Sequence, residues 1–319
     1  MKKLPLLGLV GLAVMAFSCD TGDDPLQDLE APVIEHADGH DAIRPENGEI
    51  IGASADHMPL RFAVEDPSGI EQIRVNIHAN FDGHSHARRL NDFQRLDVND
   101  IMSSESANPD LKFPEGATRV NVDGPGTDIY WDGNNSRVDG HVIAGPYDIL
   151  IEATDVYGNQ TDLADGGSYI STFQIRTPYA PLIEITNLHD DELEGEAGEP
   201  LMVEGMVAKG DHELSSDLAF LWVRLTEEHE EEHDDEDGHN HRVLDEGDDF
   251  FDMMWGNSAW MDEGNGPALP DASSLNLAEI FTGDNAIILP SGEDHLELII
   301  RAEDINGNIT EMHFVVHLE

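Results

Sequence analysis

Short runs in which apolar and polar positions alternate recur along most of this chain. Leu60-Arg61-Phe62-Ala63-Val64, Ile73-Arg74-Val75-Asn76-Ile77, Tyr147-Asp148-Ile149-Leu150-Ile151 and Thr172-Phe173-Gln174-Ile175 mark the first half. Leu201-Met202-Val203, Phe220 to Leu225, Leu296 to Ile300 and His313 to Val316 mark the second. A period of two, broken by clusters of Gly, Asn, Asp and Pro, predicts short strands joined by tight turns. Between Asn91 and Asp139 the period weakens, which predicts two edge strands, near Arg119 to Val122 and Asp128 to Trp131, among irregular loops. Residues 247–290 play that part in the second half, with a short helix expected over Leu275 to Phe281.

The pattern is written twice. Ala31-Pro32-Val33-Ile34-Glu35 returns as Ala180-Pro181-Leu182-Ile183-Glu184, and Ala153-Thr154-Asp155-Val156-Tyr157-Gly158-Asn159 returns as Ala302-Glu303-Asp304-Ile305-Asn306-Gly307-Asn308, both at an offset of 149 residues. His40-Asp41 and His189-Asp190 keep the same offset. A duplicated unit of this length with short, evenly spaced strands predicts an all-β protein of two tandem sandwich domains, 31–178 and 179–319. Trp222, in an apolar run, is expected in the core, and Trp255 and Trp260 in an irregular region that anchors a long loop.

The first thirty residues do not fit the repeat. Lys2 and Lys3 precede an apolar run from Leu6 to Phe17 that is short for a bilayer span, and Ala16-Phe17-Ser18 precedes Cys19. This resembles a bacterial lipoprotein signal peptide, residues 1–18, with Cys19 as the acylated first residue of the mature chain. Cys19 is the only cysteine, so intrachain disulfides are excluded and a cysteine-ligated zinc site or cysteine nucleophile has no other candidate. Residues 19–30 are acidic and without apolar periodicity, which predicts a flexible tether. An acidic run directly after the cysteine resembles the surface-export signal of Bacteroidota lipoproteins and implies an outer-membrane, surface-exposed location, with a periplasm-facing one as the alternative.

Charge narrows the partners. Sixteen Lys and Arg stand against 67 Asp and Glu, a formal charge of -51, which argues against nucleic acid or an anionic membrane surface as a ligand. Cations are the natural counterpart, and 16 histidines are more than solubility requires. Asp82-Gly83-His84-Ser85-His86 has a near copy in Asp237-Gly238-His239-Asn240-His241, the end of an acidic run that also holds His229 and His233. Imidazole and carboxylate together suit zinc, copper or nickel. His78, at the end of its strand, and His189 extend the candidate ligand set of His84, His86, His229, His233, His239 and His241. His78, His84, His86 and His189 are expected to meet at the junction between the two domains. The competing reading is a solvated acidic loop. Calcium is possible at the Asp155 and Asp304 turns, where Asp, Gly and Asn are also what a tight turn needs in any case.

The signal, the Ala-Pro-x-Ile-Glu opening, the His-x-His loop after a strand and the Tyr-Asp-Ile-x-Ile-x-Ala-Thr-Asp-x-x-Gly-Asn ending together resemble uncharacterised Bacteroidota surface lipoproteins with Ig-like domains. The likeness implies location and fold. No Gly-x-Ser-x-Gly or phosphate-binding glycine loop occurs, and no carboxylate pair stands out among so many, so an enzyme is not expected. Two readings follow. In the first, the chain captures or senses a divalent transition metal and delivers it to an outer-membrane transporter or surface protein. In the second, it is a non-catalytic Ig-like adhesion or scaffold protein with a protein or glycan partner.

Overall fold

A computed structural model describes residues 30–80, 92–227, 249–257, 267–291 and 295–318. The protein is nearly all β. The first half folds as two sheets packed face to face. One is three-stranded, in the order β1 (Val33–Glu35), β4 (Arg61–Glu65), β8 (Arg119–Asp123). The other is five-stranded, in the order β2 (Ile50–Ile51), β12 (Tyr169–Ile175), β11 (Gly145–Asp155), β5 (Ile70–Ala79), β7 (Val98–Ser103). Two short pairs complete it: β3 (His57–Met58) with β9 (Ile129–Tyr130), and β6 (Phe93–Gln94) with β10 (His141–Val142).

The second half repeats this order strand for strand. Its small sheet is β13 (Leu182–Ile185), β15 (Gly205–Ala208), β18 (Ser274–Asn276). Its large sheet is β14 (Leu193–Gly195), β20 (Ile309–Leu318), β19 (His295–Asp304), β16 (Leu218–Glu227), β17 (Phe251–Gly256). A four-residue helix, α1 (Leu277–Ile280), follows β18 directly. In each half one short strand, β2 or β14, crosses to the large sheet and pairs parallel to its last strand, while the other pairs within the large and small sheets are antiparallel.

Alternation explains the layering. In β5 the inward Ile73, Val75 and Ile77 are fully buried, and so are Ile149 and Ile151 of β11. In β16 and β19, Leu221, Val223, Leu298 and Ile300 do the same. Each half thus closes its own apolar core. Truncating one such residue to alanine typically costs ~2–5 kcal/mol.

Two expectations need correction. Leu201 to Val203 is not a ladder strand. The Asn187 side chain donates to the Met202 carbonyl at 2.8 Å and accepts from the Glu204 N–H at 2.8 Å, taking the place of backbone partners, and β15 begins only at Gly205. A side chain at Gly205 would place its Cβ 2.0 Å from the Glu184 carbonyl oxygen, so glycine alone allows β13 and β15 to meet there. Trp222 faces outward from its sheet rather than into the core, whereas Trp255, expected in an irregular loop, lies in β17 and is 2% exposed.

The two halves meet through a polar and apolar joint. Ala144, just before β11, donates its N–H to Asn308 Oδ1 at 3.1 Å and accepts the Ile309 N–H at 2.9 Å. Ile309 is buried in the first core, and Leu214 packs against it. Thr310 donates to the Pro181 carbonyl at 2.6 Å, and Arg176 donates to the Glu311 carbonyl. Tyr179 sits between them, its ring against Phe93, His141 and His212 and its hydroxyl donating to the Val142 carbonyl.

Candidate functional site

Of the candidate ligands, His78 and His189 lie among the described residues, and these two do not meet. His78 ends β5 in an exposed position, with Nδ1 3.1 Å from Asn76 Oδ1 and Nε2 3.8 Å from Asp148 Oδ2. Asp148 already accepts from Asn80 at 2.9 Å and Thr172 at 2.7 Å. This strand end lies close to the joint, since Asn80 donates to the Pro146 carbonyl and Ala79 pairs with Tyr147. His189 is elsewhere. It sits in a tight turn made by Asp190 and Asp191, both at positive φ, and its Nδ1 lies 3.1 Å from Glu194 Oε1. Glu194 pairs with His317 near the end of β20, eight residues from Ile309 at the joint. By strand rise that is about 27 Å away, so an interdomain site joining His78 and His189 does not form.

His84, His86, His229, His233, His239 and His241 lie outside the described residues, as do Cys19, Trp260 and the signal peptide. Among the described residues no group of three His, Cys, Asp or Glu is placed to hold a metal ion. The far pole of the second half does gather His189, Glu194 and the exposed His317. Glu227, after which the acidic histidine run begins, pairs with Leu296 at that same pole.

The two Asp-x-x-Gly-Asn turns are built alike. Asp155 accepts from the Tyr157 and Asn159 N–H groups, each at 2.8 Å, and from Asn159 Nδ2 at 2.7 Å. Burial raises its pKa, the Asn159 and Tyr157 donors lower it, and the donors prevail, leaving Asp155 below the usual range. Asp304 accepts from the Asn308 N–H at 2.8 Å and Nδ2 at 3.0 Å, but the joint covers it and burial pushes its pKa up. Beside it, burial and the Asp304 charge push Glu303 up to about 8.

Sequence reasoning missed a charged network on the outer face of the second large sheet. Arg301 donates to Glu311 Oε2 at 2.6 Å and lies 5.5 Å over the Trp222 ring, while His313 bridges Glu297 at 2.8 Å and Glu311 at 3.0 Å. Burial alone would lower the His313 pKa, but the two carboxylates outweigh it and raise it to about 9. Arg224 pairs with Asp249 on the same face. The signal was available. A hairpin closing on Asp304 to Asn308 fixes Arg301 opposite Glu311 and Ile299 opposite His313.

The outer faces of the two small sheets differ sharply. In the first, Arg119 bonds Glu35, Asp38 and Glu65, and Arg61 holds Asp123 at 2.6 Å and Asp128 at 2.7 Å. In the second, Leu182, Met202 and Met206 are 53%, 61% and 40% exposed. Glu184 and Glu204 lie among them on the same outward positions. Of the described tryptophans, Trp131 and Trp255 are buried, and Trp222 donates to Asp252 beneath Arg301.

Residues 17–166 match the family described as Domain of unknown function (DUF4625). No curated protein matches the chain. Among solved structures, fibronectin(III)-like modules of Clostridium thermocellum CbhA share 8% identity, with 90% of this chain and 94% of that one covered at a TM-score of 0.21. The tetra-tandem repeat of the extending region of a large adhesion protein shares 11%, covering 91% and 49% at 0.25. SGBP-B of the Bacteroides ovatus mixed-linkage glucan utilization locus, solved with a mixed-linkage heptasaccharide, shares 12%, covering 91% and 48% at 0.23. The chain spans about half the length of the latter two. Similarity this low says nothing about what the chain binds.

Proposed function

We propose that this chain is a non-catalytic binding module: two β-sandwiches joined end to end, held at a membrane through a lipid on Cys19, presenting the outer face of the second small sheet to a protein partner. The observation that carries the reading is the strip of Leu182, Met202 and Met206, exposed on a protein whose surface is otherwise dominated by carboxylates. Large apolar side chains held out on one sheet face are a common mark of a protein contact. A sugar would more often meet an open aromatic platform, and the described tryptophans are covered or engaged. The buried joint supports a scaffold role, because it holds the two sandwiches in one orientation instead of leaving them on a free linker.

The test is a photo-crosslinking residue at Met206 in the full chain, expressed in its native cells. A discrete protein adduct at Met206, missing from a control placed at the exposed Glu71 of the other unit, supports the reading. Crosslinks to lipid or glycan alone, or none, would overturn it.

A second reading keeps the metal. It draws on the far pole of the second half, where His189, Glu194 and His317 lie near the strand end that leads into the acidic histidine run. Calorimetric titration of the form starting at Asp20 with zinc decides it, alongside a variant with His84, His86, His239 and His241 changed to Ala. Saturable binding lost in the variant would support metal capture, with calcium as the comparison ion. Binding that survives the changes, or none, would leave the acidic loops as solvated surface.

A further inference from the structure

Strand β8 is the end strand of its sheet, so one side of its backbone meets no neighbouring strand. Antiparallel pairing alternates the direction in which successive residues turn their N–H and C=O groups. The Asp66 N–H donates to the Thr118 carbonyl, which sets Thr118, Val120 and Val122 toward β4 and turns the backbone groups of Arg119, Asn121 and Asp123 outward. No described residue accepts from those three N–H groups. What they face is an open surface cavity of about 390 Å³.

The opposite wall of this cavity is the segment from Asp110 to Pro114, whose backbone is extended at Lys112 with φ -108° and ψ 129°. Leu111, Phe113, Val120 and Val122, each 3–8% exposed, line its apolar side. Gly126 closes one end. Its missing Cβ would fall 2.7 Å from Asp110 Oδ1, whereas a Cβ on Gly124 would meet nothing within 4 Å. The result is a slot bounded on one side by the open edge of β8 and on the other by the end of a 3-10 turn, Pro109–Leu111, and the extended Lys112 that follows it.

Charge sets the occupant further. Arg119, Asp123 and Asp110 line the slot; Arg119 is engaged with Glu35, Asp38 and Glu65, Asp123 with His40 and Arg61, and the Asp110 carboxylate stands at the Gly126 end. Lys112 is exposed and pairs with no carboxylate of the described residues, a rare free cation in a chain of charge -51. Among the described residues of the second half, the matching edge is built differently. Its β18 is three residues long and passes straight into α1, with the Asn276 side chain accepting from the Ala278 N–H.

We propose that the slot takes an extended peptide segment of a partner protein, added as a further strand beside β8, with an apolar side chain against Val120 and Val122 and a carboxylate reaching Lys112. Strand addition to an open edge supplies affinity through main-chain bonds and selectivity through alternate side chains. The proposal rests on the reading of this chain as a protein-binding module and adds a second contact surface to it.

A phage-displayed random heptapeptide library panned on the form starting at Asp20 provides the probe. Enriched peptides are expected to alternate apolar and polar residues and to carry Asp or Glu. A synthetic peptide of the enriched sequence should slow amide hydrogen exchange at Arg119, Asn121 and Asp123. Asn121→Pro removes an N–H that faces the slot, together with the side-chain oxygen that accepts from the Asp38 N–H at 2.7 Å, and should weaken that peptide by about tenfold or more. Because Asn121→Pro also changes the backbone, Lys112→Glu serves as the second variant. It leaves the fold alone and should reverse the preference for acidic peptides.

No enrichment, or binding that survives both changes, overturns the slot. An adduct at Met206 with no slot peptide would sink the slot and leave the module reading in place. A slot peptide with no adduct at Met206 would sink the face and keep the slot.

Discussion

The outer faces of the two small sheets are built on one backbone and finished in opposite ways. Register matches Val33, Glu65 and Arg119 across the first sheet with Leu182, Ala208 and Ser274 across the second, and Glu35, Ala63 and Asn121 with Glu184, Met206 and Asn276. Where the first unit has a guanidinium reaching three carboxylates, the second has a hydroxymethyl group. Where the first has Glu65, the second has a methyl. Duplication preserved the strands, which are fixed by inward residues, and left the outward positions free to diverge. The first face carries a network of ion pairs beside an exposed Val33, and the second leaves Leu182, Met202 and Met206 exposed. The two Asp-x-x-Gly-Asn turns diverge in the same sense, since the first ends the chain of contacts at a solvent pole while the second is pressed into its neighbour.

The largest effect should come from the turns. Asn308 is fully buried, and its side chain joins Asp304 to the Ala144 N–H across the joint. Asn308→Ala strands two buried polar groups and should cost roughly 3 kcal/mol, at ~1–3 kcal/mol for each group left unpaired. Asn159→Ala, in the equivalent turn, removes the Nδ2 donor to Asp155 and should cost about 1 kcal/mol. Calorimetry is expected to show the two halves melting separately in Asn308→Ala and together in Asn159→Ala. Equal losses in the two variants would mean that the joint adds nothing to the second turn.

A pH series sharpens the contrast. Asp155 lies below its ordinary range, so its contribution is present above about pH 4 and is lost as pH falls. Asp304 and Glu303 are raised, so the folded second half holds protons that the unfolded chain releases, and stability falls as pH rises from about 4 toward 8. His313, raised to about 9, contributes fully below its ordinary value of 6.5 and loses that contribution as pH rises through 9. The second half should therefore weaken toward pH 9 by up to about 1.4 kcal/mol per pH unit for each titrating group. Glu303→Gln should flatten most of the slope between pH 5 and 8, read as thermal midpoints at fixed ionic strength. A slope unchanged by Glu303→Gln would place the titration elsewhere.

These contrasts also show what the chain disclosed in advance. Alternation located β5, β11, β16 and β19, because their inward residues are large and apolar, and the repeat disclosed the second sandwich. Short strands such as β2, β7 and β17 escaped, since two to six residues with mixed faces carry little period. The lead-in at Leu201 to Val203 misled for the opposite reason: it alternates, yet a side-chain amide takes its backbone bonds. The site was less legible than the fold. Proximity in sequence drew attention to His-x-His loops, whereas Arg301, Glu311 and His313 come together through hairpin register. The β8 slot depends on an absent neighbour, and nothing in a sequence marks a strand that will lack one.

The smallest effect on stability, and the most direct test of the two faces, is an exchange of their chemistry. Ala208→Glu with Ser274→Arg rebuilds in the second sheet the charge pair that Glu65 and Arg119 make in the first, using positions that are already outward. Exposed substitutions of this kind usually shift stability by no more than about 0.5 kcal/mol either way, so the thermal midpoint should hardly move. The binding consequence should be large by comparison, because a guanidinium and a carboxylate beside Leu182 and Met206 would have to be desolvated by any apolar partner surface. The reciprocal change, Arg119→Ala, removes the only cation among Glu35, Asp38 and Glu65 and should lower the stability of the first half, less so at high salt, where the exposed carboxylates repel one another less. If the rebuilt pair leaves the Met206 adduct intact, the partner is reading something other than the apolar strip, and the difference between the two faces is one of stability alone.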